Sequence, residues 1–125
     1  HCVIFKQPGE TWTREELLTL GPVLENHALF PKRTNVQLAV PTGPKDIFIL
    51  IWERGAGETQ ASGSSSCAAA SAAVRLGLVK GPVTVKMPGG TLNIEVAQDF
   101  SLTMKGPVAE VARGALSPSF VRGLK

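Results

Sequence analysis

The feature that most constrains the fold is an alanine-rich segment, residues 67–76 (CAAASAAVRL), followed by Gly77. At helical periodicity this segment is apolar on nearly every face, and a helix without a solvated face must be enclosed by other elements. Because most of its side chains are alanine, the surrounding structure can approach it closely. Gly77 is typical of a residue that ends a helix. The sequence therefore predicts a central helix with other elements packed around it.

Short apolar runs on both sides of this segment predict β-strands. Residues 46–52 (DIFILIW) are typical of a strand buried on both faces, whereas the alternation in residues 35–40 predicts a half-buried strand. We expect an α+β domain in which an antiparallel, barrel-like sheet wraps around the alanine-rich helix. Further strands are predicted at residues 1–5, 83–87, 91–96, 100–104 and 107–112, a turn at 41–44, and a tail at 117–125.

A second helix is predicted to begin after Thr13. Thr13 and Glu16 have the spacing of a capping box, and a leucine-rich segment follows them. Gly21 and Pro22 predict a break, because proline is tolerated in a first helical turn but not in a helix interior. We therefore expect two helical pieces, the second of them reaching Pro31.

Composition and cysteine usage argue against several classes of protein. The chain has 125 residues, of which 43% are hydrophobic, and a net charge of +3 whose lysines and arginines are scattered, which disfavours a nucleic-acid surface. No apolar run is long enough to span a membrane. Cys2 and Cys67 do not form a disulfide framework, and neither has metal-ligand spacing, so no metal site is expected.

Since the sequence opens on His1 without a signal peptide, we expect a single domain, residues 1–125, from a longer cytoplasmic protein.

The most unusual stretch is residues 53–66 (ERGAGETQASGSSS), a small, polar and glycine-rich loop that we expect to be flexible. It lacks the lysine of a phosphate-binding P-loop. A dinucleotide fingerprint would need glycine where Gln60 stands, and a nucleophile elbow centred on Ser62 fails at both flanking positions. These three motifs are therefore excluded.

The loop leads into a helix N-terminus, where the free N–H groups of Gly63, Ser64 and Ser65 can bind an anion such as a carboxylate. Glu53 and Arg54 lie just upstream, at the end of the buried strand. We therefore expect a carboxylate, a guanidinium and a group of anion-binding amides to lie close together. The alternative is a capped helix with a surface salt bridge and no ligand.

The segment that begins at Glu53 closely resembles the signature of the diaminopimelate epimerase family, ERGxGET followed by an ACGTG-type segment and an alanine-rich helix. Other family motifs occur in the same order along nearly the whole chain. They are HCVI at residues 1–4, GP at 21–22, FP at 30–31, RTNV at 33–36, GGxL at 89–92 and GP at 106–107.

The resemblance implies the C-terminal half of a two-domain enzyme whose halves share a fold. Such enzymes interconvert amino-acid stereoisomers without cofactor or metal, using one acid/base group from each half. The implied reaction is conversion of LL- to meso-diaminopimelate in the synthesis of lysine and peptidoglycan precursors. The implied partners are an amino-acid substrate and the N-terminal domain, and a homodimer stays open.

When the functional residues of the family are matched to this sequence by position, the resemblance implies that Glu53 assists the base of this half. It also implies that Asn35 and Arg54 bind substrate. The N–H groups of Gly63 and Ser64 would hold the substrate carboxylate. His1 matches the histidine that assists the cysteine of the other half. Glu53, His1 and the residue at position 62 thus form the catalytic set.

Position 62 departs from the family, because Ser62 stands where the catalytic cysteine is expected. A hydroxyl ionises much less readily than a thiol, so Ser62 would need strong activation, for example through Glu53. Cys67 matches a second, structural cysteine and is expected to be buried. Two alternatives therefore stay open: a racemase, isomerase or lyase of the same fold with altered chemistry, and a catalytically inactive protein that binds the ligand.

Overall fold

The computed structural model describes residues 1–124 and contains one seven-stranded sheet and three helices. The expected class, an α+β domain with strands around an alanine-rich helix, is confirmed. In chain order the elements are β1 (Cys2–Phe5), α1 (Arg14–Glu25), β2 (Val36–Gly43), β3 (Asp46–Glu53), β4 (Gly57–Thr59), α2 (Gly63–Arg75), β5 (Val83–Met87), β6 (Gly90–Val96), β7 (Leu102–Lys105) and α3 (Pro118–Arg122).

The sheet is mixed rather than antiparallel throughout. Its order is β1-β2-β3-β5-β6-β7, and β4 pairs with β3 beside this path. β1 runs parallel to β2, and β3 runs parallel to β5, while the other pairs are antiparallel. Parallel neighbours need a crossover connection, which α1 supplies for the first pair and α2 for the second.

The α2 helix packs on one face of the sheet and contacts β1, β2, β3, β5, β6 and β7. Its buried face is formed by Ala69, Ala70 and Ala73, which pack in one cluster with the isoleucines of β3 and the valines of β5. The helix begins at Gly63, four residues earlier than the alanine-rich segment, because Ser62 caps it. Gly77 follows the helix at a φ of +70°, the left-handed conformation that favours glycine.

The α1 helix covers the opposite face, where Leu17 packs with Val36 and Leu38. Ala39 of the same strand belongs to the cluster under α2. The prediction of a half-buried β2 is therefore wrong, because a helix lies on each face of the sheet. The predicted turn at residues 41–44 is also shorter, since β2 continues to Gly43.

The α1 helix is continuous through Pro22 and ends at Glu25, so the predicted break and second piece are wrong. The predicted capping box is present: the Thr13 hydroxyl accepts a bond from the N–H of Glu16, whose carboxylate accepts one from the N–H of Thr13. Proline removes one hydrogen bond from the helix ladder. Packing on the sheet offsets that loss, because Gly21 lies directly against the Trp52 ring.

We expect Gly21→Ala to lower the free energy of unfolding by about 2 kcal/mol, as overpacked cores do. A Cβ at Gly21 would lie 2.5 Å from Cδ2 of Trp52, which outweighs the gain in helix propensity. Urea denaturation measures the effect, with Gly114→Ala as the control because a Cβ there meets nothing within 4 Å. Equal stability of the two variants would contradict the packing described here.

The C-terminal region differs from the prediction. Residues 107–112 form no strand, and Val108 and Val111 are 98% and 95% exposed. Pro107 follows β7 closely and has no N–H to donate to a ladder. The predicted tail contains the short helix α3, and its last residue, Lys125, lies outside the described residues.

Candidate functional site

The site is organised by the N-terminus of α2. Ser62 is the N-cap in extended conformation, and its Oγ accepts a bond of 3.4 Å from the N–H of Ser65. The N–H groups of Gly63 and Ser64 precede the helical ladder, and within residues 1–124 neither donates a hydrogen bond. These two amides and the helix dipole form an amide cradle suited to an anion.

A cavity of about 280 Å³ lies beside the amide cradle. Ser62 and Gly63 line it together with Gly89 of the β5–β6 turn. The N–H of Gly89 donates to the carbonyl of Gln60 at 2.7 Å, and a Cβ at Gly89 would lie 2.8 Å from that oxygen. The glycine turn therefore fixes the chain that leads into Ser62.

Apolar side chains line part of this cavity. Met87, Leu92 and Pro107 line it, and Sδ of Met104 would lie 3.0 Å from a Cβ placed on Gly63. Apolar walls lower the local dielectric constant, which strengthens the attraction between free amides and an anion. The cavity therefore joins an anion-binding end to an apolar flank.

The sheet register places three candidate residues in one row. Cys2, Val36 and Trp52 are paired across β1, β2 and β3, so the adjacent positions are His1, Asn35 and Glu53. By strand alternation these three share the sheet face on which α2 packs. Neighbouring strands lie about 4.8 Å apart, so the row is compact.

The first part of the glycine-rich loop forms a hairpin. β4 pairs with the end of β3, and Gly55 and Gly57 each have a φ of +80°, which glycine adopts without strain. The Asn35 Oδ1 accepts a bond of 2.8 Å from the N–H of Arg54. Asn35 thus holds the hairpin in place, which leaves its amide NH₂ group for a ligand.

The guanidinium of Arg54 donates to the carbonyl of Lys32 at 3.2 Å, and the side chain is exposed. Within the described residues, no hydrogen bond or ion pair joins Glu53 or Arg54 to Ser62. The structure therefore brings Asn35 and Arg54 into contact, whereas Glu53 and Ser62 share only the same end of the domain.

His1 is connected to α2 through a residue that the sequence analysis missed. Gln37 of β2 is completely buried, and its Nε2 lies 3.0 Å from Nδ1 of His1 and 2.9 Å from Oγ of Ser65. A glutamine inside an otherwise apolar strand was the signal that could have identified it. A buried amide must be hydrogen-bonded, and here its partners are in the candidate site.

Glu25 is a second residue that the sequence analysis missed. Its buried carboxylate accepts bonds from Trp52 Nε1 at 2.7 Å, from the N–H of Gly55 at 2.9 Å and from Arg33 at 2.9 Å. The Trp52 indole N–H, followed by the Gly55 N–H, lowers the pKa of Glu25. Leu17, Gly21 and Glu25 are spaced four residues apart and therefore share the buried face of α1. A carboxylate at this spacing was the signal that could have identified Glu25.

Acidification should destabilise the protein more than it destabilises the Glu25→Gln variant. Because folding lowers the pKa of Glu25 below its ordinary value of 4.5, this carboxylate contributes stability above that value. That contribution is lost as the pH falls through the lowered folded value. Melting temperatures measured from neutral pH down to about pH 3 test this, and parallel profiles for the two proteins would contradict it.

The two cysteines are free thiols. Burial raises the pKa of both the Cys2 and the Cys67 thiol, which keeps them protonated. Cys67 is half-buried rather than fully buried, and it packs against the cluster under α2. A protonated thiol in that position does not replace the function expected at position 62.

Neither a metal-binding cluster nor a membrane-spanning helix is found in the part of the chain that the structure describes. Across residues 1–124, no three His, Cys, Asp or Glu side chains are grouped so that they could hold a metal ion. Over the same residues, every helix is too short or too polar to cross a membrane.

The fold and the site together define a class of domain: a mixed sheet around an alanine-rich helix whose N-terminus, with its free amides, borders a cavity. The diaminopimelate epimerase family model matches residues 1–111. The chain belongs to this family, and it is an epimerase-like domain.

Curated relatives named diaminopimelate epimerase agree with this assignment. The chain is 43% identical over 116 residues to the protein of Desulfitobacterium hafniense, covering 93% of this chain and 40% of the relative. It is 44% identical over 123 residues to that of Rhodospirillum centenum, covering 98% and 41%. It is 48% identical over 114 residues to that of Erythrobacter litoralis, covering 91% and 41%. The chain therefore spans about two-fifths of the length of these relatives.

A solved structure supports the fold alone. A Bacillus anthracis phenazine biosynthesis protein of the PhzF family superimposes with a TM-score of 0.56 at 15% identity, covering 82% of this chain and 33% of that chain.

Proposed function

We propose that this chain is the C-terminal half of a two-domain epimerase that inverts the α-carbon of diaminopimelate without a cofactor. The observation that carries the proposal is the amide cradle of Gly63 and Ser64, which lies at the end of α2 that Gln37 connects to His1. Its support comes from this geometry and from the names of the relatives. The product would serve lysine and peptidoglycan precursor synthesis.

The proposed chemistry begins with the substrate carboxylate at the amide cradle. An α-proton is weakly acidic, so charge that develops on the carboxylate must be stabilised while an acid/base group is held close. Asn35 and Arg54 would bind the substrate, and Glu53 would assist Ser62 on one face of the α-carbon. His1 would assist the acid/base group that the N-terminal half supplies on the other face.

Ser62 favours a second candidate function. A serine hydroxyl is a much weaker acid than a thiol, so proton transfer at this face is slow unless the site activates it. A protein with the amide cradle but no efficient base would bind an amino acid without inverting it. A lyase of the same fold would instead use acid/base groups on one side to eliminate rather than epimerise, and another racemase would act on a different amino acid.

Solvent deuterium exchange on the full-length protein tests these functions. LL- and meso-diaminopimelate are incubated in D₂O, and deuterium at the α-carbon, stereochemistry and loss of substrate are measured. Exchange with inversion is expected for the epimerase. Exchange without inversion, or elimination, would support altered chemistry, whereas saturable binding without exchange would support the inactive binding protein. Each of these last two results would overturn the epimerase proposal.

A further inference from the structure

A buried glutamine connects the two acid/base sides of the candidate site. Gln37 and Ser65 are both 0% exposed, and the Gln37 amide nitrogen reaches both Ser65 Oγ and His1 Nδ1. The Oε1 atom of Gln37 is also buried, and no residue from 1 to 124 forms a hydrogen bond with it. Burying an amide is costly, and the two contacts of the Gln37 nitrogen are the ones that offset this cost.

We propose that Gln37 is a positioning residue that fixes the tautomer of His1 and ties its ring to the first turn of α2. The catalytic meaning of this inference rests on the proposed function, whereas the contacts of Gln37 do not depend on it. The Gln37 amide nitrogen faces Nδ1 of His1 at 3.0 Å, and because an NH₂ group can only donate, we infer that Nδ1 accepts. The neutral ring then carries its hydrogen on Nε2, which makes Nε2 a donor.

A donor at Nε2 suits the function proposed for His1. A hydrogen bond from Nε2–H stabilises an anionic partner such as a thiolate or a carboxylate more than a neutral one. His1 would thus favour the charged form of the acid/base group from the other half. The second hydrogen of the Gln37 NH₂ group goes to Ser65, whose N–H in turn bonds to Ser62. One amide therefore fixes the imidazole relative to the amide cradle.

Two substitutions at Gln37 separate positioning from packing. Gln37→Glu keeps the size but replaces the donor by an acceptor, so Nδ1 of His1 should become the protonated nitrogen. Gln37→Met keeps similar volume and removes both contacts, so the ring should lose its fixed tautomer. Gln98→Glu is the matched control, because it makes the same change at an exposed loop position.

The tautomer of His1 is read by ¹⁵N NMR of histidine-labelled full-length protein. We expect Nε2–H in the wild type and in Gln98→Glu, and Nδ1–H in Gln37→Glu. A wild-type ring protonated on Nδ1, or a ring in Gln37→Glu whose Nδ1 stays unprotonated, would overturn the inference. This readout needs no catalysis, so it decides the inference even if the protein proves not to be an epimerase or Gln37→Met does not fold.

The kinetic test uses the same variants. If the protein inverts diaminopimelate, Gln37→Met should lower kcat by about tenfold and leave KM nearly unchanged, because one hydrogen bond to a positioned group is lost. In the background of His1→Ala, Gln37→Met should cause a much smaller further loss, because only the contact to Ser65 remains to be lost. Equal losses in both backgrounds would show that Gln37 does not act through His1 and would overturn the positioning function.

Discussion

Replacing Ser62 with cysteine is expected to raise the epimerase activity of the full-length protein by about 10²- to 10⁴-fold, the usual contribution of a positioned acid/base group. Position 62 is the N-cap of α2 and lines the cavity beside Gly63. A thiol at a helix N-terminus has a lowered pKa, because the dipole and the free amides stabilise the thiolate. A hydroxyl in the same place remains protonated. The assay is the initial rate of inversion of LL-diaminopimelate.

The control for this substitution is Ser71→Cys, which adds a thiol to the same helix two turns beyond the cavity. It should leave the rate unchanged. A thiol at position 62 should also react faster with iodoacetamide below pH 8 than the thiol of Ser71→Cys, since only the thiolate reacts. If Ser62→Cys is folded but no more active than the parent protein, position 62 is not the acid/base position of this half.

The second large effect is expected for Gly63→Pro, which removes one donor of the amide cradle. Proline is favoured in the first turn of a helix, and Ser62 already has the extended conformation that a residue before proline requires, at φ −156° and ψ 123°. The helix should therefore remain intact. Losing a hydrogen bond to a charged group should weaken binding of the substrate carboxylate by about 10- to 100-fold. Calorimetric titration with meso-diaminopimelate measures the change.

Gly63→Ala is the matched control, because it places the same Cβ against Met104 but retains the N–H. The end of the Met104 side chain can shift, so the affinity should fall less than about threefold, a cost of under 1 kcal/mol. Similar losses in the two variants would mean that the cavity shape at Met104 matters rather than the donor. That outcome would remove the amide from the proposed binding of carboxylate.

The parts of the fold that could be predicted were those set by local patterns. The capping box at Thr13 and the continuous apolar run of β3 depend on neighbouring residues, and both are present in the structure. The continuous α1 could not be predicted, because Pro22 is tolerated only through packing of Gly21 on Trp52, which lies 31 positions away. Burial of β2 on both faces likewise depends on where two helices pack.

In the candidate site too, residues within a local motif could be predicted, whereas residues that depend on distant partners could not. Glu53, Arg54 and Gly63 stand out in the sequence because they lie in one short motif. Gln37 and Glu25 do not, because their importance arises from partners that are distant in sequence, such as Ser65 and Trp52. Strand register, which no short motif encodes, aligns His1 and Asn35 with Glu53.

The most direct test of the amide cradle is an NMR titration of the full-length protein with meso-diaminopimelate, following the backbone amides of Gly63 and Ser64. Both amide signals are expected to shift and to saturate with the same dissociation constant as the calorimetric titration. The diamide of the ligand, which lacks carboxylates, should leave them in place. If the ligand binds and shifts other residues while Gly63 and Ser64 do not move, the N-terminus of α2 is not where the carboxylate binds.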